Sequence, residues 1–105
     1  MPRRTSADSV AVDRYVLDTL LGDLVGHDRS ASSFLVYLWL WAQAGGGGKL
    51  ASVEASLRDI TEGTGLSKRA VQMALARLRD RRLLASEQAT RTSTPVYTLA
   101  TPWRR

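Results

Sequence analysis

The sequence predicts a mainly α-helical domain with a small β-hairpin, an α+β arrangement in which a three-helix core carries the hairpin. Three observations lead there. Two stretches with helical apolar spacing meet across Gly65-Leu66-Ser67, and a β-branched run, Val96-Tyr97-Thr98-Leu99, follows a polar turn region. All of the excess positive charge falls in the half of the chain that contains both.

A chain of 105 residues, 44% apolar and 24% charged, has room for one hydrophobic core and fits the soluble globular class. The absence of cysteine removes disulfide scaffolds and thiolate metal sites, zinc fingers included, and points to a cytoplasmic chain. Met1-Pro2-Arg3-Arg4 leads into no apolar stretch, so no secretory signal is read there. The longest apolar run, Phe34 to Ala42, is far short of the ~20 residues that span a bilayer, and no membrane partner is expected.

Residues 1–13 are polar and without periodicity, and are expected to form a flexible arm ahead of a single domain over residues 14–105. Apolar residues at 16, 17, 20, 21 and 24 fit one face of a short helix, which Gly26 is expected to end. Asp28-Arg29-Ser30 offers caps for a second helix running to about Ala44. That helix is apolar almost all round (Ser33-Phe34-Leu35-Val36-Tyr37-Leu38-Trp39-Leu40-Trp41) and reads as the centre of the core, or as an element shared with another subunit. Gly45 to Gly48 end it. They are not read as a phosphate cradle, because Lys49-Leu50-Ala51-Ser52-Val53 behind them looks like a short strand instead of a helix opened by Gly-Lys-Ser/Thr.

Ser56 with Asp59 three residues on approximates a capping box, and Leu57, Ile60 and Thr64 then share one side of a two-turn helix. Gly65 can turn the chain sharply, Leu66 can tuck under as an apolar plug, and Ser67 can cap the helix that follows. From Lys68 to about Arg82, Val71, Ala74, Leu75 and Leu78 make one buried stripe. The opposite face shows Lys68, Arg69, Gln72, Met73, Ala76 and Arg79, small residues that allow close approach and long donors that reach bases or phosphates. After this helix pair (about 56–82) comes a hairpin (about 83–100). Leu83 to Glu87 forms its first half, Gln88 to Thr94 the turn, and Pro95 the start of its second strand, where a missing N–H costs least.

The string from Ser56 to Leu78 resembles the helix-turn-helix of bacterial winged-helix regulators and replication-associated proteins. The likeness rests on the turn Gly65-Leu66-Ser67, on Val71, and on the Leu75/Leu78 pair. Thr61 departs from it: the family usually has Ala there, which lets the two helices touch, so a Thr is expected to loosen the crossing slightly. The resemblance implies a winged helix-turn-helix fold, double-stranded DNA as partner, and a hairpin wing whose tip, here Arg91, rides on an adjacent minor groove or backbone.

Charge distribution agrees with a polyanionic partner. Residues 1–52 hold five basic and five acidic residues, while residues 53–105 hold ten and five, so the second half carries the whole net charge of +5. The expected function is sequence-specific binding of double-stranded DNA, in transcriptional regulation, with the helix from about 67 to 82 in the major groove. Arg69 and Gln72 would read base edges, Ser67, Lys68 and Arg79 would hold the backbone, and Arg91 would anchor the wing. A winged helix used to dock proteins, or an accessory domain in replication initiation, are the alternatives.

No catalytic arrangement is read. His27 sits alone in an expected loop, and the five Asp of the first half recur every five residues and would scatter around a helix. No cofactor, metal or small-molecule effector is expected. One recognition helix has a small footprint, which favours a homodimer, with Tyr37, Trp39, Trp41 and the 15–24 helix as its expected interface. Trp103, next to Arg104 and Arg105, most commonly would fold back on the apolar helix; contact with a base or a partner is the alternative.

Overall fold

The computed structural model describes residues 8–46 and 51–104. The first helix, α1, consists of the segments Val16–Leu20 and Gly22–His27 joined through Leu21, and its turns are wider than those of an α-helix. Leu21 N–H bonds to the Val16 carbonyl, and Asp28 N–H reaches the Asp23 carbonyl at 2.8 Å, both five residues back. Burial divides the apolar positions of this helix into two rows. Val16, Leu20 and Leu24 are buried, whereas Leu17 and Leu21, expected on the same inward face, point to solvent. Gly26 does not end the helix as expected; α1 continues through it to His27. The final turn is secured from outside, by Leu24 in the core and by Arg81, whose guanidinium lies 3.5 Å from Asp28 and 3.6 Å from Asp23.

Helix α2, Ala31–Gln43, is the centre of the core and buries Phe34, Val36, Tyr37, Leu40 and Trp41. Ser30 precedes it, with its hydroxyl turned to Ser33 Oγ at 2.5 Å instead of capping a backbone N–H. Gly45 and Gly46 follow with φ of 80° and 108°, a conformation that suits glycine and stops the helix. The expectation that Tyr37 and Trp41 form a subunit interface is corrected here. Both are wholly buried within the chain: the Tyr37 hydroxyl donates to the Ala100 carbonyl at 3.0 Å, and Trp41 Nε1 donates to the Ala11 carbonyl at 2.8 Å. Burial pushes the Tyr37 phenol well above its ordinary pKa.

Trp39 is half-buried, and it meets α3 (Leu57–Thr64) so closely that a Cβ on Gly63 would clash with the Nε1 side of its indole. Gly63→Ala is therefore expected to destabilise the fold by about 1–3 kcal/mol through overpacking, read as a lower melting midpoint. An unchanged or higher midpoint would show that the indole simply swings aside.

Strands β1 (Ser52–Glu54), β2 (Leu84–Glu87) and β3 (Val96–Leu99) form one antiparallel sheet in the order β1-β3-β2. Tyr97 lies opposite Val53 on one side and Ser86 on the other. Sequence patterning foresaw the hairpin and a short strand near 49–53 but not their union; Lys49 and Leu50 lie outside the described residues. Tyr97 and Leu99 face the core, and Val96 and Thr98 alternate outward, as period two requires.

The two chain ends meet at Asp13. Its carboxylate accepts from Trp103 Nε1 at 2.8 Å and from Arg104 at 2.7 and 2.8 Å, and the Arg104 guanidinium, first among these donors, holds its pKa below the usual carboxylate range. Trp103 stacks on Tyr15 with centroids 4.7 Å apart and lies parallel to Trp41 at 6.3 Å. The expectation of a loose arm over residues 1–13 is thus corrected for Ala11 and Asp13, which are tied to Trp41, Trp103 and Arg104; residues 1–7 lie outside the described residues. No helix among the described residues is long and apolar enough to cross a membrane.

Candidate nucleic-acid interface

The site is built on α3 and α4, Lys68–Asp80, which meet across Gly65-Leu66-Ser67. At the start of α3 the capping box closes in both directions: Ser56 Oγ accepts from Asp59 N–H at 3.0 Å, and Ser56 N–H donates to the Asp59 carboxylate at 2.9 Å. That backbone hydrogen bond keeps the Asp59 carboxyl below its ordinary pKa. Gly65 takes φ 77° and carries the chain out of α3, with its N–H on the Thr61 carbonyl. Leu66 packs against the core, and Ser67 Oγ accepts from Ala70 N–H at 3.1 Å to begin α4. Thr61 turns its hydroxyl back to donate to the Arg58 carbonyl at 2.8 Å, which keeps it on its own helix.

Val71, Ala74, Leu75 and Leu78 are buried, and α4 packs mainly against α2 and α3. This holds the helix rigid and fixes which side faces out. Ser67, Lys68, Arg69, Gln72, Met73, Ala76 and Arg79 are all exposed, with Met73 60% exposed. Among the described residues none takes a hydrogen bond or ion pair from the side chains of Lys68, Arg69 or Gln72. Arg79 reaches across to Ser86 Oγ at 3.5 Å, which steadies it beside the sheet. A shallow groove lined by Ser56, Leu57, Arg58, Thr61 and Lys68 runs along the N-terminal end of the helix pair.

The β2–β3 hairpin presents Arg91 at an ordered tip. Thr90 and Ser93 bond reciprocally: Thr90 N–H donates to Ser93 Oγ at 2.8 Å, and Ser93 N–H donates to Thr90 Oγ1 at 3.2 Å. Gln88 Nε2 adds a 2.7 Å bond to the Ser93 carbonyl. Such a closed polar loop leaves the Arg91 side chain exposed at a defined place.

Sequence reasoning passed over Arg82. Helix α4 ends in a Schellman pattern, with Leu83 N–H on the Leu78 carbonyl at 2.9 Å and Arg82 N–H on the Arg79 carbonyl at 3.0 Å. The left-handed position of that motif usually belongs to glycine, yet Arg82 occupies it with φ 59°. That angle is strained for a residue with a Cβ, and it leaves Arg82 lining a cleft with Arg79, Leu84 and Ala85. An arginine where the helix stop calls for glycine was the available signal. Arg82→Gly is expected to raise stability by about 1 kcal/mol while lowering affinity for a polyanion; thermal unfolding and duplex titration of the same sample check both signs.

Arg77 and Arg81 face the other way. Arg81 pairs with Asp28 and Asp23, and Asp28, its carboxylate 5% exposed, is held below its ordinary pKa first by the hydrogen bond from His27 Nδ1 at 3.1 Å. His27 itself is solvent-exposed at the end of α1. No group of three or more His, Cys, Asp or Glu side chains able to hold a metal ion occurs among the described residues.

No protein-family model and no curated protein matches the chain. Among solved structures it is similar to BpsR of Bordetella bronchiseptica, a protein whose DNA binding is regulated by 6-hydroxynicotinic acid, with a TM-score of 0.57 and 23% sequence identity. The match covers 85% of this chain and 57% of BpsR, so the chain spans little more than half the length of that protein. Likeness at this identity is a likeness of fold: four helices and a three-stranded antiparallel sheet in winged helix-turn-helix arrangement.

Proposed function

We propose that the chain binds double-stranded DNA in a sequence-specific manner, as a bacterial transcriptional regulator acting in the cytoplasm. The observation that carries this reading is the outward face of α4. Its long polar side chains Lys68, Arg69 and Gln72 have no partner within the described residues, while the helix beneath them is fixed by four buried residues. Unspent donors on a rigid helix suit a major groove, and the N-terminal end of that helix favours phosphate. Arg69 and Gln72 read base edges; Ser67, Lys68, Arg79 and Arg82 seat the backbone; Arg91 anchors the wing. Met73 and Ala76 complete the surface that enters the groove. A two-fold homodimer over paired half-sites gives the tight binding that one small footprint lacks.

Titration of a labelled duplex across a salt series tests the reading. Affinity should fall linearly with salt on a log–log scale, and Lys68→Ala or Arg91→Ala should each reduce the slope by about 1. Binding that is absent, or insensitive to salt, would reject DNA as the partner and favour a protein-docking role for the same helix.

A further inference from the structure

Opposite the buried stripe of α4 lie Arg69, Met73 and Ala76, which follow one another at helical spacing. Met73 stands between a guanidinium and a small methyl side chain on this crest. At 60% it is the most exposed large apolar side chain among the described residues. A single exposed apolar residue is ordinary on a protein surface; what sets this one apart is its surroundings. Lys68, Arg69, Gln72 and Arg79 flank it, so an apolar protein partner seated there would have to take water from three cations. In a DNA major groove the same cations reach phosphates at the rims, and the thioether meets a floor whose apolar group is the 5-methyl of thymine.

We infer that Met73 reads the 5-methyl group of a thymine and so determines specificity on the DNA-binding face; the inference rests on that proposed function. The side chain suits the task. An unbranched, polarisable thioether packs on a methyl group and asks for no hydrogen bond. Ala76, one turn further on, is small enough to let a base edge come close. Arg69 precedes Met73 by one turn, about 6 Å along the helix, a distance of about two base-pair steps. A guanine held by Arg69 through O6 and N7 and a thymine under Met73 then fall within the same few base pairs. Thymine read in this way is told from cytosine, which presents an amino donor and no methyl, and also from uracil, which lacks only the methyl.

Selection from randomised duplexes with the full chain supplies the probe. Replacing its thymines by uracil, one at a time, removes single methyl groups and leaves every base-pair hydrogen bond in place. At least one such replacement should weaken wild-type binding by about three- to fivefold, the effect of burying one methyl-sized group. Met73→Gln, at an exposed position, should melt as the wild type does and bind the thymine and uracil duplexes equally. Met73→Leu keeps an apolar end and should keep the discrimination. Arg69→Ala should weaken both duplexes and leave their ratio unchanged. A uracil scan that is flat for the wild type, or a discrimination that survives in Met73→Gln, would overturn the inference, while salt-dependent binding of the same duplexes would leave the DNA reading standing. Duplex binding that is absent or insensitive to salt would sink that reading and this inference with it.

Discussion

Replacing Trp41 by alanine is expected to remove about 3–5 kcal/mol of stability, a large share of the 5–15 kcal/mol typical of a whole domain. The indole is wholly buried on α2 and tilted against Tyr37 with centroids 6.0 Å apart. The Arg104 guanidinium sits 5.4 Å from its ring centre. Truncation would empty that volume, leave the Ala11 carbonyl without its donor, and take away the surface on which Trp103 lies. Trp41→Phe would keep most of the packing and lose only the hydrogen bond and part of the volume, so its cost should be about half or less. Urea or thermal unfolding of the two variants measures this. A loss under about 1 kcal/mol for the alanine would show that the clasp of the chain ends does not depend on Trp41.

Arg69→Ala and Gln72→Ala are expected to cost about 1–3 kcal/mol each at the preferred DNA site and little on a scrambled duplex. Both side chains are exposed and unpartnered among the described residues, so stability should change by no more than about 0.5 kcal/mol. The two effects then separate cleanly. Lys68→Ala, at the first turn of α4, should weaken preferred and scrambled duplexes alike, because a phosphate contact carries no sequence information. Equal losses on both duplexes for Arg69→Ala and Gln72→Ala would refute the assignment of base reading to these two residues.

Local chemistry made the helix pair legible in the sequence. The Ser56/Asp59 box, the turn at Gly65, the Ser67 cap and the stripe Val71-Ala74-Leu75-Leu78 are all settled by residues within four positions of one another. The outward side of α4 followed from the same periodicity, and so did the alternation of Val96 to Leu99. What stayed hidden depends on distant partners. The chain buries only Val16, Leu20 and Leu24 of the first helix and leaves Leu17 and Leu21 exposed, which depends on what packs against that helix. Tyr37 and Trp41 looked like surplus apolar area because Ala100 and Ala11, which accept their polar atoms, lie far away in sequence. The pairing of β1 with β3 and the closure of Asp13 on Trp103 and Arg104 join segments far apart in sequence, the latter by 90 residues. Arg82 was overlooked because its left-handed backbone angle does not show in the residue string.

Because β3 is bonded on both edges, the hairpin cannot hinge alone. Ala55, immediately before the Ser56 cap, donates its N–H to the Pro95 carbonyl at 3.1 Å, which welds the base of the wing to the root of α3. On the proposed DNA-binding reading, the span between Arg91 and Lys68 is then that of a rigid caliper, set when the chain folds. A duplex whose grooves do not match that gap must itself bend or narrow, so flexible and stiff sequences with identical bases at the contacted positions should be told apart by their deformability alone.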